Sequence, residues 1–132
     1  MAVNVSATLA NAWLNTIRGG AAGTSYTAPA AVYVQLHTGA QGSAGTSNIS
    51  SVTTRPAATF AAASAGVLAL SNAPTWASWA GTNLEVVTGI SFFDASTAGN
   101  FLFSATFGSS VTMPTGATLQ LTTATLTITT AS

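Results

Sequence analysis

The first periodic stretch of the chain repeats with a helical period. Leu9, Trp13 and Ile17 recur every fourth residue, with Ala10 and Leu14 beside them, so a helix gathers them into one apolar stripe. Ser6 supplies an N-cap hydroxyl, Gly19-Gly20 a stop, and Arg18 a cation at the negative end of the helix dipole. Such a stripe has two uses. It plugs one end of the domain, or it docks on a neighbouring subunit.

From Ala31 the period drops to two. Val32, Val34 and Leu36 alternate with Tyr33, Gln35 and His37, the pattern of a half-buried strand. Thr38 to Asn48 is rich in Gly, Ser and Thr and reads as a mobile loop. Short strands are expected over Ile49–Thr54, Ala57–Ala61 and Val67–Leu70, with Pro56 marking an edge or a break, because proline cannot donate to a ladder. Leu84–Phe93 carries apolar residues on both faces: Val86, Ile90 and Phe92 on one, Val87 and Phe93 on the other. It therefore reads as a central strand. Asp94 to Asn100 has turn chemistry, after which Phe101, Phe103, Ala105 and Phe107 line one face of the next strand.

The C-terminal segment changes phase. Leu119 and Leu121 are odd, Leu126 and Ile128 even, so a bulge or corner is required near Thr122–Ala124. Pro114-Thr-Gly116 supplies the preceding turn. Short strands punctuated this way predict a mainly β protein: one antiparallel β-sandwich of jelly-roll or Greek-key type over residues 21–132, with an N-terminal helical segment over 1–20. At 132 residues the chain suits a single domain with a core of its own, and without cysteine it has no disulfide scaffold.

Charge changes the picture most. Arg18, Arg55, Glu85 and Asp94 are the only charged residues, 3% of the chain, against roughly 25% in an ordinary soluble domain. Net charge is zero. A neutral surface promotes association, so partners are expected to cover much of it. Two basic residues cannot neutralise a phosphate backbone, which argues against nucleic acid. No polybasic patch addresses an anionic membrane, and the most apolar stretch, Pro56–Leu70, falls short of the ~20 residues of a span. No signal peptide is visible at the N-terminus.

The chemical inventory is as sparse. Glu85 and Asp94 are the only carboxylates and His37 the only imidazole, so a Ser-His-Asp arrangement would have to recruit His37, Asp94 and one of many serines. The Gly-x-Ser-x-Gly elbow is absent, and no metal-ligand spacing is present. The expectation is a non-enzymatic protein without a cofactor or metal. Trp76 and Trp79, in a segment with Pro74 and Gly81, either cap the core from a long connection, anchor an interface, or form a sugar platform.

Ala-Trp-Leu-Asn-Thr-Ile-Arg-Gly-Gly at 12–20, Ser-Tyr-Thr-Ala-Pro-Ala at 25–30 and Val-Tyr-Val-Gln-Leu-His-Thr at 32–38 are followed by Gly89-Ile-Ser-Phe-Phe-Asp-Ala-Ser-Thr-Ala-Gly-Asn-Phe-Leu-Phe103 and Leu126-Thr-Ile128. In this order they resemble a family of small virion structural proteins of tailed bacteriophages, usually labelled tail-fibre or minor structural proteins. The resemblance implies a virion location after assembly in the host cytoplasm. A fibre shaft is normally a coiled coil or a β-repeat, and neither occurs in this chain. The expected role is therefore a capsid decoration or cement subunit on the head exterior that bridges capsomers; the alternative is a tail-fibre or tail-tip component that binds a host receptor glycan. Expected partners are further copies of the chain, as a homotrimer or other cyclic oligomer, and the major capsid protein or tail proteins. The expected contacts are Leu9, Trp13, Leu14 and Ile17 on the helix, the Thr38–Asn48 loop, and Trp76 and Trp79.

Overall fold

A computed structural model of the chain describes residues 2–18 and 27–128. Helix α1 (Ala7–Ile17) begins where expected: Ser6 stands at the N-cap with extended backbone, and its hydroxyl accepts from the Leu9 amide at 3.1 Å. The proposed Gly19-Gly20 stop lies outside the described residues.

One element had no counterpart in the sequence reading. Strand β1 (Ala2–Val5) precedes the helix and pairs antiparallel with a distant strand, β7 (Phe101–Met113). A boundary at residues 20/21 thus does not separate helix from sheet, because the N-terminal segment supplies an edge of the main sheet. That sheet has five antiparallel strands in the order β1-β7-β6-β2-β3, where β2 is Val32–His37, β3 Ala57–Ala58 and β6 Glu85–Phe93. The strand with apolar residues on both faces, β6, is central, as its pattern requires.

Two further ladders complete the architecture. β4 (Val67–Ala69) pairs with β9 (Thr125–Thr127), and β5 (Thr75–Trp76) pairs with β8 (Leu119–Gln120). They share one apolar core with the five-stranded sheet, giving a mainly β, antiparallel, open sandwich with one helix. The phase change in the C-terminal segment is the point at which the chain leaves one ladder for the other: Leu119 pairs with Trp76, Leu126 with Leu68, and the residues between turn the corner with Leu121 and Ala124 buried. The turn before it closes through the Ala117 amide on the Pro114 carbonyl, with Gly116 at φ +82°, where a side chain would strain the backbone.

Register explains two departures from simple alternation. Phe92 pairs with Phe103 but Phe93 with Phe101, so Leu102 is an extra residue in β7. This bulge turns Phe101 away from the Phe103 face and sets it against Phe93, with ring centroids 5.8 Å apart, so the four aromatic and alanine positions expected on one face do not all share it. A second irregularity lies between Val87, opposite Val111, and Gly89, opposite Thr106. It brings Val87 into the same core as Ile90 although their positions differ in parity.

Ile49–Thr54 is not a strand. It makes a single bridge, His37 to Ile49, because the segment is held instead by a carboxylate. Glu85 accepts from the Ser50 hydroxyl at 2.8 Å, the Ser51 amide at 2.9 Å and the Ser51 hydroxyl at 2.9 Å. Burial pushes the Glu85 carboxyl up, but these bonds to its charged form outweigh burial and hold its pKa below the ordinary value.

Candidate functional site

Cross-strand rows show how the main sheet divides its two faces. Val5, Phe103, Phe92 and Val34 form one row, and Val3, Ala105, Ile90 and Leu36 another; both belong to the apolar core. Phe92 and Phe103 stack with centroids 4.3 Å apart, and Phe60 closes over both. The row between them reads Asn4, Ser104, Ser91 and Gln35, and the last three of these side chains are buried. A polar stripe therefore runs across the opposite face, covered by the chain between Thr38 and Arg55.

Gln35, His37 and Ser91 in this second layer are each hydrogen-bonded, while the buried Gln41 amide nitrogen has no partner among the described residues. His37 is fully buried, with Nδ1 2.8 Å from the Ser47 carbonyl. A carbonyl only accepts, so Nδ1 carries the hydrogen, and Nε2 accepts from the Ser91 hydroxyl at 2.5 Å. Burial lowers the His37 pKa, and Arg55 lowers it further against the opposing bonds from Ser47 and Asn48, so the ring is held neutral. The loop expected to be mobile is folded back here: Gln41 and Gly45 are buried, and a Cβ at Gly45 (φ +67°) would strike the Phe101 ring.

Asp94 takes no part in this cluster. Its carboxylate closes the turn, accepting from the Asn100 amide at 2.6 Å and the Asn100 side chain at 2.7 Å. The Ser47 carbonyl occupies the place on His37 that an acid would take in a triad, so His37, Asp94 and a serine are not assembled for nucleophilic chemistry.

The proposed contact residues separate into two groups. Leu9 is buried at 5% exposure and Trp13 packs partly into the core, whereas Leu14 and Ile17 are 60% and 79% exposed. The helix thus both plugs the domain and presents an apolar face. Trp76 and Trp79 are 4% and 2% exposed. Their indole nitrogens donate to the carbonyls of Thr54 (2.9 Å) and Thr82 (3.1 Å). Both cap the core, so neither is an exposed anchor or a sugar platform; the apolar bulk of two indoles was better satisfied inside.

Arg55 is the member of this polar cluster that pattern reading missed. It lies over the Phe93 ring, 3.8 Å from the centroid. Its Nε donates to the Gln35 side-chain oxygen at 3.0 Å, and its Nη1 to the carbonyls of Ala98 (2.7 Å) and Ala95 (3.4 Å). All three acceptors are neutral. The one available signal was scarcity: a cation in a chain with four charges is expensive to keep half-buried unless it is used.

Among the described residues no helix is long and apolar enough to cross a membrane. No curated protein matches the chain. The sequence model of one family, described as podophage GP4 fiber I protein gp80, matches residues 4–129. That match takes in both sides of the polar layer, the helix and all three ladders, and by it the chain belongs to this family of phage fibre proteins.

Proposed function

We propose that the chain is a non-enzymatic structural subunit of a short-tailed phage's fibre, acting as a compact domain that joins copies of itself and neighbouring tail proteins. The family match over residues 4–129 carries this reading and favours the tail over the head decoration expected from the missing shaft. A domain of this shape serves as the knob or the joint of a fibre whose shaft another segment builds. The surface supports the same role. Leu14 and Ile17 stand exposed on a domain with zero net charge, which suits contacts made by apolar burial and insensitive to salt. Cyclic self-association, as a trimer or other closed ring, is the arrangement that suits a symmetric fibre.

Copy number in purified virions, measured by quantitative staining against the major capsid protein, tests the location. A handful of copies in multiples of three or six supports the fibre. Hundreds of copies commensurate with the capsid lattice would restore the decoration role.

A further inference from the structure

The two edges of the five-stranded sheet are finished differently. At one edge β2 turns the Val34 amide and the Leu36 carbonyl outward, and both are met. Val34 donates to the Pro56 carbonyl at 3.0 Å, and Leu36 accepts from the Ser50 amide at 3.0 Å, with β3 alongside. At the other edge lies β1. The Ser6 amide donates to the Leu102 carbonyl at 2.8 Å, one step beyond the Val5–Phe103 pair. In an antiparallel ladder, residues that bond to the neighbouring strand alternate with residues whose amide and carbonyl point away from it. Ser6, Asn4 and Ala2 therefore face β7, and Val3 and Val5 face outward. Among the described residues neither the amide nor the carbonyl of Val3 or Val5 has a hydrogen-bond partner.

Natural sheets guard such an edge with a charge, a proline, a bulge or a covering element. β1 carries none of the first three: it reads Ala2-Val3-Asn4-Val5, in even register with β7. Its outer flank is open at the level of side chains too. Val3 and Val5 continue the two apolar rows of the core face, yet both are only half-buried. Asn4, on the opposite face, is exposed.

An open edge fits a strand, and the pattern selects which strand. Val3 and Val5 stand symmetrically about Asn4. A half-turn about an axis at Asn4 sets the Val5 of a second copy opposite Val3, its Val3 opposite Val5, and its Asn4 opposite Asn4. Each valine pair then exchanges both backbone bonds. The row Leu36, Ile90, Ala105, Val3 runs on into Val5, Phe103, Phe92 and Val34 of the second copy, so the two cores share one apolar row. The two Asn4 side chains meet as a close cross-strand pair able to hydrogen-bond. A charge at this position would repel its own copy across the axis, and position 4 is neutral. A strand of another protein would meet the same backbone groups without this internal symmetry.

We infer that β1 is a self-complementary edge through which two copies of the chain join their five-stranded sheets into one, antiparallel about a two-fold axis at Asn4. The inference deepens the proposed joining of copies and rests on it. A few residue pairs bury little area, so the contact is weak between free copies and gains from any assembly that holds them close.

The test is sedimentation velocity of the purified chain over a concentration series, with amide hydrogen exchange at low and high concentration. A dimer should form, and the Val3 and Val5 amides should gain protection as concentration rises. The Asn4 amide, turned toward Ser104, should be protected throughout. Val3→Pro deletes an amide that the fold does not use, at an edge position that tolerates proline. It should leave the chain folded and weaken the dimer at least about tenfold. Asn4→Lys should weaken it similarly by repulsion across the axis, and mixing it with Asn4→Glu copies should restore the dimer. This charge pair decides the matter even if Val3→Pro disturbs the strand, because Asn4 is exposed and its side chain makes no hydrogen bond among the described residues. A monomer at every concentration, a dimer with Val3 and Val5 still exchanging freely, or no rescue on mixing would overturn the edge; a trimer would overturn the two-fold axis. Each of these leaves the fibre reading intact, because copy number in the virion measures that independently.

Discussion

The two faces of the five-stranded sheet are built from the same strands by opposite means. On one face Val34, Leu36, Ile90, Phe92, Phe103 and Ala105 are held by apolar burial, which is non-directional and scales with the area removed from water. On the other, Gln35, His37 and Ser91 are buried just as deeply but must each find a partner, since an unpaired buried polar group costs about 1–3 kcal/mol. The first face tolerates any side chain of the right bulk. The second depends on the loop that supplies Ser47, on Arg55, and on the correct tautomer of one imidazole.

The comparison is broken most severely at its apolar centre. Phe92→Ala opens a cavity beneath Phe60 and Phe103 and should lower unfolding free energy by about 3–5 kcal/mol in chemical denaturation. His37→Ala should cost about 2–4 kcal/mol, comparable to the larger aromatic despite the smaller apolar loss, because it opens a cavity, orphans the Ser47 carbonyl and leaves the Ser91 hydroxyl only its long bond to the Gly45 carbonyl; the same denaturation series checks it. An outcome below about 1 kcal/mol would mean that the polar layer is filler.

Protonation sharpens the contrast without a mutation. The folded-state pKa of His37 lies below its ordinary 6.5, so the unfolded chain binds the proton more readily. Stability is full above pH 6.5 and falls as the pH drops from there toward the lowered value. His37→Asn should flatten this segment of a stability–pH curve. Glu85 adds a second step: its pKa is depressed below 4.5 on folding, so its contribution is present above 4.5 and is lost as pH falls through the folded value. Glu85→Ala, which frees Ser50 and the Ser51 amide, should cost about 1–3 kcal/mol at neutral pH and remove that acid step. The smallest effect on folding belongs to Leu14→Ser with Ile17→Ser, expected within about 0.5 kcal/mol of the parent because both residues are exposed. If this face carries the proposed self-contact, light scattering should nonetheless show a smaller particle than the parent; an unchanged particle size would remove the helix face as the contact.

What the sequence revealed follows the same division. The apolar face was legible because bulk and period survive in one dimension: Val34 and Leu36, Phe92 and Phe103 and the Leu119–Ile128 phase change each pointed to their places. The polar layer was not legible. His37, Ser91 and Ser47 are far apart in the chain, and serine among many serines carries no mark of burial. Trp76 and Trp79 were ambiguous for a related reason, since an indole is equally at home in a core or on an interface until its nitrogen is seen to find Thr54 or Thr82 inside. Strand β1 was invisible because the alternation Val3-Asn4-Val5 before a helix cap is too short to stand out, and only its partner 100 or so positions later defines it.

That last pairing sets the order of events during synthesis. Ala2–Val5 leaves the ribosome about 100 residues ahead of its ladder partner, Phe103–Thr106. At about 5–20 residues per second the first strand waits on the order of ten seconds for its seat in the sheet. Through that interval Leu9 has no Leu102 to pack toward, and the whole helical stripe, including the two side chains that remain outside afterwards, is open to water. The β2–β6 pair, closer in sequence, can form earlier, so docking of the N-terminal segment is a late closure. A nascent chain thus exposes the apolar face of α1 before its fold is complete.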